Sequence, residues 1–149
     1  MERIIGIDYG DRRIGVAVSD PTCTIARPHS LIEGLKDEDA AARIAELAAE
    51  LEASLVVVGL PRNMDGSEGF RAEKTRKFAE VLETKLDGMP VEFLDERLTT
   101  IQAERSLRMM EASRKQKKRK VDMMAASLLL QSYLDNRAFR KRNESDEPW

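Results

Sequence analysis

The 149-residue sequence has one cysteine, Cys23, and one histidine, His29. A lone cysteine excludes an intrachain disulfide and a four-cysteine zinc site; a lone histidine excludes a multi-histidine metal centre or a Ser-His-Asp triad that draws on a second imidazole. Freedom from cross-links fits a reducing cytoplasm, the expected location. No stretch approaches the ~18 consecutive apolar residues of a membrane span, and the N-terminus has no hydrophobic region with a cleavage-type sequence, so a secreted or membrane-spanning protein is not expected. Aromatic residues are 5% of the chain and do not interleave its basic stretch, which argues against a base-stacking platform. With 25 Lys and Arg against 27 Asp and Glu, the net charge is −2. Such a balance at first argues against a nucleic-acid partner, because binders of phosphate backbones are usually basic.

What is present reads as one α/β domain. A chain of this length buries about two thirds of the surface its unfolded form exposes, enough for a core without staples. Residues 3–8 and 14–19 are apolar runs separated by a polar, glycine-containing turn, the pattern of a β-hairpin. A third strand is expected over 24–31, broken near Pro28. Ala40, Ile44, Leu47, Ala48 and Leu51 recur at helical spacing within 37–53, with acids at the start where the helix dipole favours them. Leu55–Leu60 is apolar without alternation, as in a strand covered on both faces. A second helix places Thr75, Phe78, Ala79, Leu82 and Leu86 on one face, and Val91–Leu94 follows as a strand. Thr99 and Gln102 fit a capping box that opens a third helix. A fourth helix over 121–134 is apolar on most faces, and 136–149 is expected as a loose charged tail. No repeat or linker divides the chain.

The near-neutral total conceals polarity. Between Glu33 and Glu52 stand seven acids and two bases, a balance of −5; between Arg105 and Lys120 stand eight bases and one acid, a balance of +7. Ser113–Lys120 has six bases in eight residues and nothing apolar, so it is expected as a solvated segment. Such a run either keeps the chain soluble or contacts phosphates, with release of counterions. Its position, leading directly to Asp122, favours phosphate contact.

Three acidic positions lie at the ends of apolar elements. They are Asp8 after the first strand, Asp95 or Glu96 after the fifth, and Asp122 at the start of the last helix. Alone, Asp8 reads as a turn-former and Asp122 as a carboxylate facing a helix dipole. Asp122 nevertheless shares a face with Ala125, Ala126, Leu129 and Tyr133, so it points the way an apolar stripe points. If that face packs on the sheet near the strand ends, three carboxylates converge, and a divalent cation relieves their repulsion. An all-oxygen set suits Mg²⁺ or Mn²⁺, and such a metal beside a basic segment fits phosphodiester hydrolysis. In the loop after Leu60, Asn63, Asp65 and Gly66 form either an ordinary turn or a cradle of amides for phosphate. Arg97, Thr99 and Thr100 at a helix start offer a second such place. His29, beside Pro28, reads as a surface or strand-edge residue.

Gly6-Ile7-Asp8-Tyr9-Gly10, Arg13-Ile14-Gly15-Val16-Ala17-Val18-Ser19, Val58-Gly59-Leu60-Pro61 with Asn63-Met64-Asp65-Gly66, Asp95-Glu96-Arg97-Leu98-Thr99-Thr100, and Lys120-Val121-Asp122 with Ala125-Ala126 together resemble the YqgF/RuvX family. These motifs run in family order from residue 4 to about residue 135. The resemblance implies an RNase H-like domain over 1–135, with a mixed five-stranded sheet flanked by helices. It also implies a cytoplasmic nuclease that matures the 5′ end of precursor 16S ribosomal RNA, with structured precursor RNA and ribosomal particles as partners. The catalytic and metal-holding acids it implies are Asp8, Glu96 and Asp122, with Mg²⁺ or Mn²⁺ as cofactor; the choice of Glu96 over Asp95 comes from the resemblance alone. The nucleic-acid-binding set is then Asn63, Gly66, Arg97, Thr99, Thr100, Arg114, Lys115, Lys117, Lys118 and Lys120. Resolvases of the RuvC type resemble this pattern but carry a further acid one helical turn after the last aspartate, where this chain has Ala125. Asp95, Asp11, Asp65, or water and substrate phosphate, are the alternatives for a fourth ligand.

Three other readings compete. A Holliday junction resolvase would use the same chemistry on DNA, generally as a dimer; the sequence leaves monomer or homodimer open. A non-catalytic RNA or ribosome-associated factor would use the basic segment and keep the acids for structure. An ATPase of the actin and hexokinase type shares the Asp-x-Gly hairpin but needs two such lobes, and this length supplies one.

Overall fold

The structure, a computed structural model, describes residues 2–98 and 115–146. In chain order the elements are β1 (Arg3–Tyr9), β2 (Arg13–Ser19), β3 (Ala26–Glu33), α1 (Asp37–Glu50), β4 (Ala53–Leu60), α2 (Phe70–Lys85), β5 (Val91–Asp95), a 3-10 turn (Glu96–Leu98) and α3 (Lys115–Asp146). The five strands form one sheet in the order β3-β2-β1-β4-β5. β1, β2 and β3 pair antiparallel, and β4 and β5 continue parallel to β1. This is the mixed sheet expected from the sequence.

Alternation along β1 sorts the core into two layers. Ile5 and Ile7 pack with Ile44, Leu47, Phe78 and Leu82 of α1 and α2. Ile4 faces the other way, with Val57, Leu94, Ala126, Leu129 and Leu130, under α3. β4 is apolar from Leu55 onward because both of its faces are covered, Val56 and Val58 by one layer and Val57 by the other. Tyr9 closes the first layer at the end of β1. Its ring stacks on Phe78 with centroids 4.6 Å apart, and its hydroxyl donates to Asp37 Oδ1 at 2.9 Å.

Three boundaries differ from the sequence expectation. The third strand runs two residues later than expected, and its break near Pro28 is a register shift between Val16↔Ser30 and Ala17↔Pro28. β3 is an edge strand, where a proline and a bulge cost least. His29 is exposed there, its Nδ1 3.1 Å from Ser30 Oγ. The last helix begins at Lys115, within the basic stretch expected as a loop, and it continues to Asp146, through residues expected as a loose tail. No glycine or proline interrupts 115–146, and polar anchors support the extension where an apolar stripe does not. Gln131 accepts from the Ala26 N–H and donates to the Thr24 carbonyl, both at 2.9 Å, and Arg137 pairs with Glu2 at 3.6 Å. The helix expected to open at Thr99 lies outside the described residues.

Two tyrosines tie helices to the sheet: Tyr9 to α1, and Tyr133 on α3 through its hydroxyl donating to Glu92 of β5. Burial first, then the carboxylate partner, pushes each phenol up to about 12 from an ordinary 10.0. The folded-state values lie above the unfolded one, so this stabilisation is fully present below pH 10 and is lost as pH rises through about 12. The wild-type melting temperature is therefore expected to fall more steeply across that range than that of the Tyr9→Phe/Tyr133→Phe double variant. Equal slopes in the two proteins would contradict the assignment.

Candidate active site

The site is built where α3 lies on the sheet with almost nothing between them. Gly6, Gly15 and Gly59 stand under the helix. A Cβ on Gly6 would lie 2.7 Å from the Leu130 Cβ, and one on Gly15 would overlap the backbone carbonyl oxygen of Asp122. A Cβ on Gly59 would overlap Leu129 and come within 2.7 Å of Glu96 Oε1. Absent side chains in the strands thus set the height of the helix and place its Asp122 end over β2.

The same contacts locate the acids. Asp8 pairs directly with Gly15 in the β1–β2 register, so the strand end that carries Asp8 adjoins the glycine against which the Asp122 backbone rests. Gly59 follows Val58, the register partner of Ile7, and Glu96 lies against it. Asp8 and Glu96 are 6% and 4% exposed, a strong desolvation for two carboxylates, and both line one cleft of about 410 Å³. The cleft lies beyond the carboxyl ends of the parallel strands, where α/β sheets commonly bind ligands.

Asp122 is placed differently. It is on the same side of the sheet, but it does not line the cleft, and its Oδ2 is 3.7 Å from Arg13 Nη1. Arg13 also holds Glu33, with Nε at 3.2 Å. Among the described residues, no three His, Cys, Asp or Glu side chains are grouped as a metal cage.

The adjacent acids Asp95 and Glu96 are placed differently. Leu94 belongs to the layer under α3, so Asp95, the last residue of β5, faces the opposite way, whereas Glu96, in the turn that follows, lies against Gly59 on the α3 side. Arg97 occupies Asp95, with Nη2 at 2.7 Å, Nε at 3.1 Å and its backbone N–H at 2.9 Å. Those bonds, foremost the side-chain ones, hold the Asp95 carboxyl below the usual carboxylate range. The other candidates for a fourth ligand are likewise engaged outside the cleft. Asp65 accepts from the Ser67 N–H and hydroxyl at 2.9 and 2.6 Å, which lowers its carboxyl, and Asp11 pairs with Lys74 at 3.6 Å. Ala125 is buried in the apolar layer.

Of the expected binding residues, Asn63 lines the cleft and Gly66 does not. Gly66 has φ +91° and donates its N–H to the Asn63 carbonyl at 2.9 Å. It is a turn residue that lets the Arg97 guanidinium come within 3.4 Å of where a Cβ would stand. Lys115, Lys117, Lys118 and Lys120 fall in the first turns of α3. Thr99, Thr100 and Arg114 lie outside the described residues. Sequence reasoning missed Arg62 and Arg71, the two cations in the cleft wall, and Tyr9 and Phe70 beside them. Arg62 follows the proline that ends β4, and Arg71 is in the first turn of α2. Only Arg62 carried a readable signal, its position just past the carboxyl end of a central parallel strand.

Sheet order, strand directions and the crossing helix define the RNase H-like class. RuvC of Thermus thermophilus, solved with a Holliday junction substrate, matches over 100% of both chains with a TM-score of 0.60 at 18% identity. The fowlpox virus resolvase, solved with Holliday junction DNA, covers 90% of this chain and 97% of its own, with a TM-score of 0.51 at 10% identity. At those identities the likeness is one of fold. The RuvX family profile, described as Holliday junction resolvase, matches residues 2–136, and the chain belongs to that family. A relative from Halothermothrix orenii is 47% identical over 133 residues, 89% of this chain and 94% of its own. Another, from Pelotomaculum thermopropionicum, is 45% identical over 144 residues, 96% and 92% of the two chains. Both carry the name "Putative pre-16S rRNA nuclease".

Proposed function

We propose that this protein is a divalent-metal-dependent endonuclease that processes the 5′ end of precursor 16S rRNA, in the cytoplasm and on ribosomal particles, with Asp8, Glu96 and Asp122 as its catalytic acids. The observation that carries the reading is the pairing of two buried carboxylates, Asp8 and Glu96, in one cleft whose wall also presents Arg62 and Arg71. Buried acids beside cations, open to a cleft, suit a ligand that is anionic and brings a metal with it.

The donor set fits Mg²⁺ or Mn²⁺. Magnesium is commonly held by only one or two protein carboxylates, with water and substrate phosphate completing the shell. Two hard-oxygen donors in the cleft, with no group of three among the described residues and no sulfur or imidazole in the lining, match that habit. Asp8 and Glu96 would hold the metal, and Asp122 is the third acid; it lies about two turns inside α3 and not at the helix start expected from the sequence, at the point where the helix abuts Gly15. When bound, such a metal lowers the pKa of an attacking water and stabilises charge on the leaving oxygen. The chain's own part is to bind and orient. Arg62, Arg71 and Asn63 can hold phosphates on either side of the scissile bond. The Asp95–Arg97 pair, with Arg97 Nη1 3.5 Å from the Met64 carbonyl, ties the loop that carries Asn63 to the end of β5, next to Glu96. Gly66, Arg97, Thr99, Thr100, Arg114 and the lysines at the start of α3 extend the proposed phosphate contacts.

The name of the family favours a second reading, cleavage of four-way DNA junctions. The two separate in one assay, with a precursor 16S rRNA 5′ fragment and a synthetic four-way DNA junction offered to the purified protein under identical conditions. Cleavage of the RNA with the junction left intact is expected. Cutting of the junction alone would replace the RNA reading with the resolvase one.

A further inference from the structure

A second cleft, of about 500 Å³, lies away from Asp8, between β5 and the far part of α3. Glu92, Phe93 and Leu94 form one wall; Tyr133, Asn136, Arg137, Arg140 and Lys141 form the other. Three of the lining residues are cations and one is an acid. That acid, Glu92, is already engaged as the acceptor of the Tyr133 hydroxyl. Arg137 is paired through Nη2 with Glu2, but its Nη1 is buried and has no hydrogen-bond partner among the described residues. The Glu2 pair holds Arg137 in the wall, and Arg140 and Lys141 line the cleft with it. β5 is also the outer strand of the sheet.

We propose that this cleft is a second phosphate-binding site, which holds the backbone of the RNA substrate away from the point of cutting. The inference rests on the nuclease reading of the Asp8–Glu96 cleft and names a further part of the substrate's path. Glu92 lies three residues before Asp95, the last residue of β5 and the neighbour of Glu96, about 10 Å at 3.3 Å per residue. An RNA strand leaving the first cleft along the outer edge of the sheet therefore meets Arg137, Arg140 and Lys141 within a few nucleotides. The far part of α3, which lacks a periodic apolar face, supplies these cations, and the helix fixes them in a row on the β5 side. Phosphate contacts of this kind set register and affinity and carry no base specificity.

The test compares wild type with Arg140→Gln and with Arg137→Gln/Arg140→Gln, using two fluorescent single-stranded RNAs, one just long enough to fill the Asp8–Glu96 cleft and one several times longer. Binding is followed by anisotropy at several salt concentrations, and a thermal melt of each variant reports folding. Arg140→Gln stands beside the double variant because it leaves the Arg137–Glu2 pair in place. The long RNA is expected to bind each variant more weakly than wild type. The slope of log K against log salt should drop by about 0.7 for each phosphate of the single strand that no longer meets a cation. Affinity for the short RNA, and its rate of cleavage, should stay unchanged. If wild type binds both RNAs and Arg140→Gln, folded, binds the long one with the same affinity and slope, the second cleft is not a phosphate site, while the nuclease reading stands. If Arg140→Gln keeps RNA binding but loses attachment to ribosomal particles stripped of precursor RNA, a protein partner replaces RNA as the occupant. Wild type that binds neither RNA overturns the nuclease reading and this inference with it.

Discussion

Asp8→Asn and Glu96→Gln, each removing a carboxylate that would hold the metal, are expected to lower kcat for RNA cleavage by about 10²- to 10⁴-fold, the size of effect seen for a positioned catalytic group. Each substitution keeps side-chain volume and removes one negative charge from a cleft wall where the residue is 6% or 4% exposed. Both side chains line the cleft, so a nearly isosteric amide is expected to be accommodated and the fold to survive. Because each swap is nearly isosteric, the melting temperature is expected to stay close to that of wild type. Circular dichroism melts and single-turnover cleavage, run on the same preparations, check both halves. A variant that melts far below wild type would mean that the carboxylates serve structure, the non-catalytic reading. Asp95→Asn is the contrasting case. Asp95 is bound to Arg97 and points away from α3, so its loss should loosen the 61–69 loop and weaken substrate binding more than it slows chemistry.

The second large effect is expected at Gly15, and it begins as a packing defect. A Cβ there would overlap the carbonyl oxygen of Asp122 and come within 3.2 Å of the Ala126 Cβ. The first of these neighbours is helix backbone, which cannot rotate aside as a side chain can. Gly15→Val must lift the Asp122 end of α3 from the sheet. Overpacking of this kind costs about 1–3 kcal/mol, and at roughly 2–4 °C per kcal/mol for a chain of this size the melting temperature should fall by about 2–12 °C. Activity should fall with it, because the helix that sets the position of Asp122 has moved relative to Asp8, the register partner of Gly15. An unchanged melting temperature in Gly15→Val would refute the close approach of helix and strand on which the site's construction depends.

The same glycines show where sequence reading ends. The hairpin, the central strand and both amphipathic helices were legible from their apolar residues, and the mixed sheet was implied by the family resemblance. Asp8, Asp122 and the Asp95/Glu96 pair were legible as candidates because carboxylates rarely end apolar runs without a reason. The choice between Asp95 and Glu96 was not legible from residues alone. It depends on which face of β5 meets α3, and only Leu94 under the helix reveals that. Gly6, Gly15 and Gly59 read as ordinary strand glycines until a helix is laid across them. Arg62 and Arg71 were hidden among 25 basic residues, because nothing local distinguishes a cation that lines a cleft from one that faces solvent. The extension of α3 past residue 135 was missed for a similar reason. Long-range polar contacts from Gln131 and Arg137 anchor it, and these leave no periodic trace in the sequence.

The central claim is that Asp8 and Glu96 make this cleft a metal-dependent phosphodiesterase centre. The most direct measurement incubates the purified protein with a precursor 16S rRNA 5′ fragment under three conditions: with Mg²⁺ or Mn²⁺, with chelator, and with Asp8→Asn in place of wild type. Cleavage by wild type with metal, and none in the other two, is the predicted result. Cleavage that persists in chelator, or that Asp8→Asn performs at the wild-type rate, would contradict the account.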